Sequence, residues 1–314
     1  MQPAPTVETR NLTKRFGDVT VVDGLTLSVS PGEVFGLVGP DGAGKTTTMR
    51  LLTGVMQATA GTALVLGTDV TQDPEAVRHR IGYVPQRSSL YADLSVLENL
   101  QFHADLFGVP RSERDRAMAE LLAFSRLEPF AKRLARNLSG GMRQKLALCA
   151  ALIHRPEVLF LDEPTIGVDP VSRREFWLLI YQLIRQGLTL LVSTPYLDEA
   201  ERCHRVGLMD HGCLIACENP AGLRRLLPGT LLELRGPAPE AAAALIGHLP
   251  GVKEAQVFGD ALHVVVSDPE GTLPRLREAL EARGFPEAHI RPIIPSLEDV
   301  FVTLLRDRNR SRPG

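Results

Sequence analysis

Cysteine is scarce in this sequence: Cys149, Cys203, Cys213 and Cys217 are the whole complement, and none stands in a C-x-x-C pair. A disulfide scaffold is excluded, and a reduced compartment fits the thiols. His204 and His211 lie near the last three, but Cys213-Leu214-Ile215-Ala216-Cys217 reads as a strand, which would hold its two thiols too far apart to share zinc. Neither charge is in excess, since 35 basic against 37 acidic residues leave a net charge of −2 and a pI near 6.5. Neutralising a phosphodiester backbone needs a basic face, so no nucleic acid is expected as partner. No apolar run approaches the roughly 20 residues that span a bilayer, and Met1-Gln2-Pro3-Ala4-Pro5 lacks the apolar core of a signal peptide. The expected location is the cytoplasm.

What is present begins with Gly39-Pro40-Asp41-Gly42-Ala43-Gly44-Lys45-Thr46, a G-x-x-x-x-G-K-[ST] run between a strand-like Val34-Phe35-Gly36-Leu37-Val38 and a helical Thr47-Thr48-Met49-Arg50-Leu51-Leu52. The glycines let successive backbone N–H groups turn inward around a phosphate, and the following helix adds the positive end of its dipole. Lys45 supplies a point charge to the β- and γ-phosphates, and the Thr46 hydroxyl is placed to ligate Mg²⁺. The nucleotide-binding set in this run is Gly39, Asp41, Gly42, Gly44, Lys45, Thr46 and Thr47.

A second cluster completes the chemistry. Val158-Leu159-Phe160-Leu161 reads as a buried parallel strand and runs into Asp162-Glu163-Pro164. Acids at the carboxyl end of such a strand face the crevice where doubly wound sheets bind ligands, so Asp162 can hold the metal shell while Glu163 faces an attacking water. Taken alone, the same residues describe a core strand followed by two solvated acids. Between the two clusters, Leu138-Ser139-Gly140-Gly141-Met142-Arg143-Gln144 places Ser139 as N-cap of a helix with an apolar stripe of Met142, Leu146, Cys149 and Ile153. Its start, with Ser139, Gly140 and Gly141, is a second anion site or simply a well-capped helix.

At this point residues 1 to about 222 resemble the ATP-binding-cassette (ABC) ATPases, with the phosphate loop, the LSGGMRQ run and the acid pair in the family's order. The resemblance implies an α/β P-loop NTPase cassette that binds ATP with Mg²⁺. It sets Phe16 where the family stacks an aromatic on adenine, and Gln86 where a glutamine reaches metal and water, so that Thr46, Gln86 and Asp162 form the metal set and Glu163 and Gln86 the catalytic one. Asp169 in Ile166-Gly167-Val168-Asp169-Pro170 matches the loop that crosses the family's dimer interface; on its own it is a turn aspartate. One position departs from the pattern. Pro195, in Ser193-Thr194-Pro195-Tyr196, stands where the family has a histidine that contacts the γ-phosphate, and proline has neither a side-chain donor nor an N–H. Binding is therefore expected to survive better than turnover. His204, read as lying further along a helix, is a poor substitute.

Residues 91–155 are expected to form a helical subdomain, with a capping box at Ser95 and Glu98, an apolar stripe of Leu97, Leu100, Ala104 and Phe107, and a stop at Gly108 and Pro110. In the resembled family this part docks a transmembrane subunit. Residues 223–314 read as a small α+β ferredoxin-like domain: strand 230–234, helix 239–249, a hairpin of 255–258 and 262–266 around Gly259-Asp260, helix 273–282 and strand 289–294, in the order βαββαβ. Ser296-Leu297-Glu298-Asp299 caps a last helix, and Arg306-Asp307-Arg308-Asn309-Arg310-Ser311-Arg312 reads as a solvated basic tail, with contact to anionic lipid as the alternative. This ending resembles the accessory domain of drug-exporter ATPases of the daunorubicin-resistance type, and no catalytic constellation occurs in it.

No second phosphate loop or LSGG run is found. The resemblance then implies that two cassettes, alike or different, pair to complete each site, on separate transmembrane permease subunits at the inner face of the cell membrane. A soluble cassette of repair or translation is the competing reading. The absence of a long heptad insert speaks against the first and the single cassette against the second. A nucleotide-gated module with little turnover is kept open by Pro195.

Overall fold

The computed structural model describes residues 4–87, 89–236, 239–283 and 289–311. Met1, Gln2 and Pro3 of the N-terminal reading, and Arg312 of the tail, lie outside the described residues. The chain divides into two units, Met1–Asn219 and Pro220–Gly314.

The first unit opens with β1 (Val7–Phe16), β2 (Val19–Val29), β3 (Val34–Val38), α1 (Lys45–Leu52), β4 (Ala60–Val65), β5 (Thr68–Asp69), α2 (Glu75–Arg78) and β6 (Ile81–Val84). It continues with α3 (Val96–Leu106), α4 (Arg111–Ser125), α5 (Gly140–Leu152), β7 (Val158–Asp162), α6 (Pro170–Arg185), β8 (Thr189–Thr194), α7 (Leu197–Ala200), β9 (Arg205–Asp210) and β10 (Cys213–Glu218). Every residue of β3, β7 and β8 is buried. Strands covered on both faces read as continuous apolar runs, and these lie inside a six-stranded sheet of order β10-β9-β3-β8-β7-β6. Its pairs are parallel except β10 with β9. An antiparallel sheet of order β2-β1-β4-β5 faces it, and one core joins Val22, Leu27 and Val65 of the second sheet to Phe35, Phe160 and Leu191 of the first, with Met49 and Leu52 of α1. Parallel order brings the carboxyl ends of β3, β7 and β8 to one edge, which is where the acids and the phosphate loop emerge.

Helices α3, α4 and α5 have a core of their own, including Val96, Leu100, Ala104, Leu122, Leu146, Cys149 and Ile153. The Ser95–Glu98 capping box forms as expected, and α3 stops before Gly108 at φ +65°. The stripe differs by one position. Leu97 is exposed, and the inward face is Val96, Asn99, Leu100, His103 and Ala104. Asn99 can take a core place because its side chain bridges the loop before the helix, donating to the carbonyls of Tyr91, Leu94 and Ser95 at 3.1, 3.2 and 2.9 Å.

The second unit consists of α8 (Pro220–Arg224), β11 (Thr230–Arg235), α9 (Pro239–Ile246), β12 (Val252–Phe258), β13 (Ala261–Val266), α10 (Pro269–Glu281), β14 (His289–Pro292) and α11 (Leu297–Ser311). From β11 to β14 the order is βαββαβ, in an antiparallel sheet β12-β13-β11-β14. Leu232, Leu234, Val264 and Val266 of the sheet pack on Ile246, Leu276 and Leu280 of the helices. Helix α10 begins at Pro269, earlier than the apolar pattern suggests, because proline suits the first helical turn. Helix α11 runs on to Ser311 through the basic segment, and exposed Arg306 pairs with Glu254, which also accepts from Thr303 Oγ1 at 2.9 Å.

Candidate nucleotide site

The turn from β3 into α1 is held by close approach as much as by dihedral freedom. A Cβ on Gly39 would lie 2.3 Å from the carbonyl oxygen of Met209, and one on Gly44, at φ +100°, would lie 2.5 Å from that of Val21. Helix α1 has no side-chain cap and no acid in its first turn, so its leading N–H groups are left for an anion. Asp41, Gly42, Gly44, Lys45, Thr46 and Thr47 line a cleft of about 240 Å³ together with Val21, Gln86 and Glu163. Larger clefts, of about 820 and 440 Å³, exist in this unit. They contain neither the loop nor the acid pair, and chemistry rather than volume decides between them.

Lys45 is buried, and its Nζ donates to the carbonyls of Gly39 and Pro40 at 2.8 and 3.0 Å. It also lies 3.1 Å from Glu163 Oε1, and this carboxylate is buried as well. Glu163 Oε2 accepts from Gln86 Nε2 at 2.5 Å. Glu163 has φ +50°, in the left-handed region that a side chain with a Cβ visits at a cost. Asp162 is fully buried and accepts hydroxyl hydrogen bonds from three elements: Thr46 at 3.0 Å, Ser193 at 2.6 Å and Tyr83 at 3.4 Å. Burial, with Asp162 beside it, pushes the Tyr83 phenol up to about 12, so it stays a donor at neutral pH. Gln86 spends its nitrogen on Glu163, which leaves its amide oxygen. That oxygen, the Thr46 hydroxyl and the Asp162 carboxylate are hard donors of the kind Mg²⁺ takes.

The remaining expected residues do not line the cleft. Phe16 ends β1 half-exposed, with Lys14 Nζ 5.0 Å from its ring centre, and it reaches the site only through the β1–β2 hairpin that carries Val21. Ser139 caps α5, accepting from Met142 N at 3.2 Å. A Cβ on Gly141 would lie 2.4 Å from Ser172 Cβ, and one on Gly140 would lie 3.6 Å from the Gly167 carbonyl, so these glycines sit against the start of α6. Asp169 caps that helix, accepting from Ser172 N at 2.9 Å, a bond that lowers its pKa. Within one chain the expected residues, Phe16 at the end of β1 apart, thus fall into two places, the phosphate-loop region with the acid pair and the paired starts of α5 and α6.

Pro195 follows β8 in a loop that is already anchored. Thr194 Oγ1 accepts from Tyr196 N at 3.0 Å and donates to the fully buried Glu199 at 2.8 Å, which Thr165 also contacts at 2.6 Å. His204 is not on a helix, because α7 ends at Ala200. Its Nδ1 accepts from Val34 N at 2.9 Å, a contact that engages the ring with β3. Sequence reasoning missed Ser193, Tyr83 and Glu199. The available signal for the first was a polar residue closing the apolar run Leu190-Leu191-Val192.

Residues 22–166 match a family described as "ABC transporter". The chain is 42% identical over 299 residues to the "Probable multidrug ABC transporter ATP-binding protein YbhF" of Escherichia coli, covering 94% of this chain and 51% of that protein. This chain thus spans about half of that relative's length. It is 38% identical over 304 residues to the "Nod factor export ATP-binding protein I" of Paraburkholderia xenovorans, covering 96% and 97%. Among solved structures, an ATP-binding subunit of an ABC transporter superposes with TM-score 0.64 at 29% identity, over 70% of this chain and 92% of the other. A dimeric ATP-binding cassette bound to ADP and Pi superposes with TM-score 0.62 at 26% identity, over 68% and 98%.

Proposed function

Because this chain belongs to the family of ABC transporter ATP-binding proteins, we propose that it is the ATP-hydrolysing subunit of a membrane exporter. The observation that carries the reading is the junction of buried Lys45, Asp162 and Glu163 with the exposed Gln86 at the carboxyl edge of the parallel sheet. Lys45 and the N–H groups of the loop hold the phosphates; Glu163 orients the attacking water and takes its proton; Gln86 fixes the direction of that carboxylate. Thr46, Gln86 and Asp162 would hold Mg²⁺, which would supply charge neutralisation on the phosphates. Phe16 offers a π-face to the base.

Ser139, Gly140, Gly141 and Asp169 serve the site of a second cassette, identical or not, so that hydrolysis belongs to a dimer. Pro195 makes that hydrolysis slow. Among the described residues no helix is long and apolar enough to cross a membrane, and the permease is a separate polypeptide, docked by α3 to α5 at the inner membrane face. The names of the two relatives, multidrug and Nod factor export, support the direction of transport. The first unit, ending at Asn219 rather than at about residue 222, is the cassette, and the second is a ferredoxin-like accessory domain that acts in assembly or regulation.

The test is isolation of the chain from membranes with its bound partners, followed by Mg-ATP binding and hydrolysis for wild type and Lys45→Ala. The variant is expected to bind ATP at least about a hundredfold more weakly, through loss of charge-assisted phosphate bonds. Unchanged affinity would refute the site, and isolation without any membrane protein would refute the exporter.

A further inference from the structure

We propose that Ser193 is a positioning residue for hydrolysis, one hydroxyl that sets the direction of both acids. The inference rests on the ATPase reading above. Ser193 lies near the end of β8, the strand between β3 and β7, in register with Leu37 on one side and Asp162 on the other. It is fully buried. Its Oγ donates to Asp162 Oδ1 at 2.6 Å and accepts from Glu163 N at 3.0 Å. A serine has one proton to give, so with that proton committed to Asp162 a lone pair faces the Glu163 amide, and neither bond can be exchanged without losing the other.

The two bonds act on different problems. Asp162 is a buried carboxylate whose shortest hydrogen bond comes from Ser193, ahead of Thr46 at 3.0 Å and Tyr83 at 3.4 Å. Glu163 has the left-handed backbone, and its N–H is shared between Ser193 Oγ and the Ser193 carbonyl at 3.1 Å. Anchoring that amide aims the side chain at Lys45 and Gln86. Without the hydroxyl both carboxylates lose part of their orientation. The contacts of Lys45 with Gly39 and Pro40 involve no atom of Ser193, so metal-free phosphate recognition is linked to it only through Glu163.

The test compares Ser193→Ala, which deletes the hydroxyl, with Ser193→Thr, which keeps it. Melting temperature, affinity for a fluorescent ATP analogue in excess Mg²⁺ and in EDTA, and kcat and KM for Mg-ATP are measured on the full chain. The alanine variant is expected to keep its EDTA affinity within about twofold and to lose about 10–100-fold in the Mg²⁺-dependent gain in affinity or in kcat, the usual cost of removing a partner of a ligating group. Threonine is expected to restore the lost function. An alanine variant equal to wild type in both readouts overturns the proposal. So does one whose affinity falls equally with Mg²⁺ and with EDTA alongside its melting temperature, because that is a merely structural effect. If wild type hydrolyses nothing, the ATPase reading fails, and the Mg²⁺ dependence of affinity in the two variants still decides the part played by Ser193.

Discussion

The proposed function assigns slow turnover to Pro195. The loop that bears it is fixed from behind by Thr194, which ties Tyr196 N and Glu199 together, so a substitution there meets a prepared frame. A preorganised donor to a developing charge is worth about 10²–10³ in rate. Pro195→His is accordingly expected to raise kcat by up to that factor with little change in ATP affinity, read by steady-state hydrolysis at saturating Mg-ATP. A wild-type kcat already at about 1–10³ s⁻¹, with no gain in the variant, would show that another group has taken the histidine's place. At this scale the sequence was legible wherever one local run carried the chemistry, as for Lys45 and Thr46 in the loop or Asp162 and Glu163 at a strand end. Ser193 and Tyr83 were not legible. Their contacts with Asp162 run between neighbouring strands β8, β7 and β6, and sheet order is not written in any single segment.

Among elements, the contact of α3 with the end of α5 is sensitive to pH through its histidines. The Phe107 ring stacks on His154 at 3.9 Å and meets His79 edge-on at 6.4 Å, while His103 faces the same core. Burial holds His103 and His154 below the ordinary histidine value, with His154 close to His103 and His79 close to His154 adding to the shift. Above about pH 6.5 the unfolded rings are neutral too, and the full packing energy is present; as pH falls below that value the unfolded rings take protons that the folded ones refuse, and stability is lost. Melting temperature and amide exchange in α3, compared at about pH 7.5 and 5.5, are expected to show a loss in wild type that is smaller in a His103→Gln, His154→Gln variant. Equal losses in the two proteins would exclude these rings as the cause. The capping box of α3 could be read from Ser95 and Glu98 because its partners are three residues apart. Its inward face could not, since Asn99 is core-facing only by virtue of carbonyls that the folded loop supplies.

For the whole molecule the separation of the two groups of expected residues is the decisive fact. The cleft holds Lys45, Thr46, Gln86 and Glu163, whereas Ser139, Gly140, Gly141 and Asp169 lie at the starts of α5 and α6 and do not line it. The proposed function has a second cassette bring these residues to the cleft. In Glu163→Gln the phosphate loop, Thr46 and Asp162 remain, while the carboxylate that would take the proton of water becomes an amide. Hydrolysis is expected to fall by about 10²–10⁴, the range for loss of a general base, while nucleotide binding persists. ATP that is bound and not consumed favours the closed arrangement of two cassettes, because a ligand shifts a population toward the state it binds more tightly. Light scattering coupled to size exclusion, with saturating Mg-ATP and without nucleotide, should find Glu163→Gln as a dimer in the first condition and a monomer in the second. A variant that binds ATP and stays monomeric at every nucleotide concentration would place the hydrolytic site within one chain and leave Ser139 and Asp169 as helix caps and nothing more.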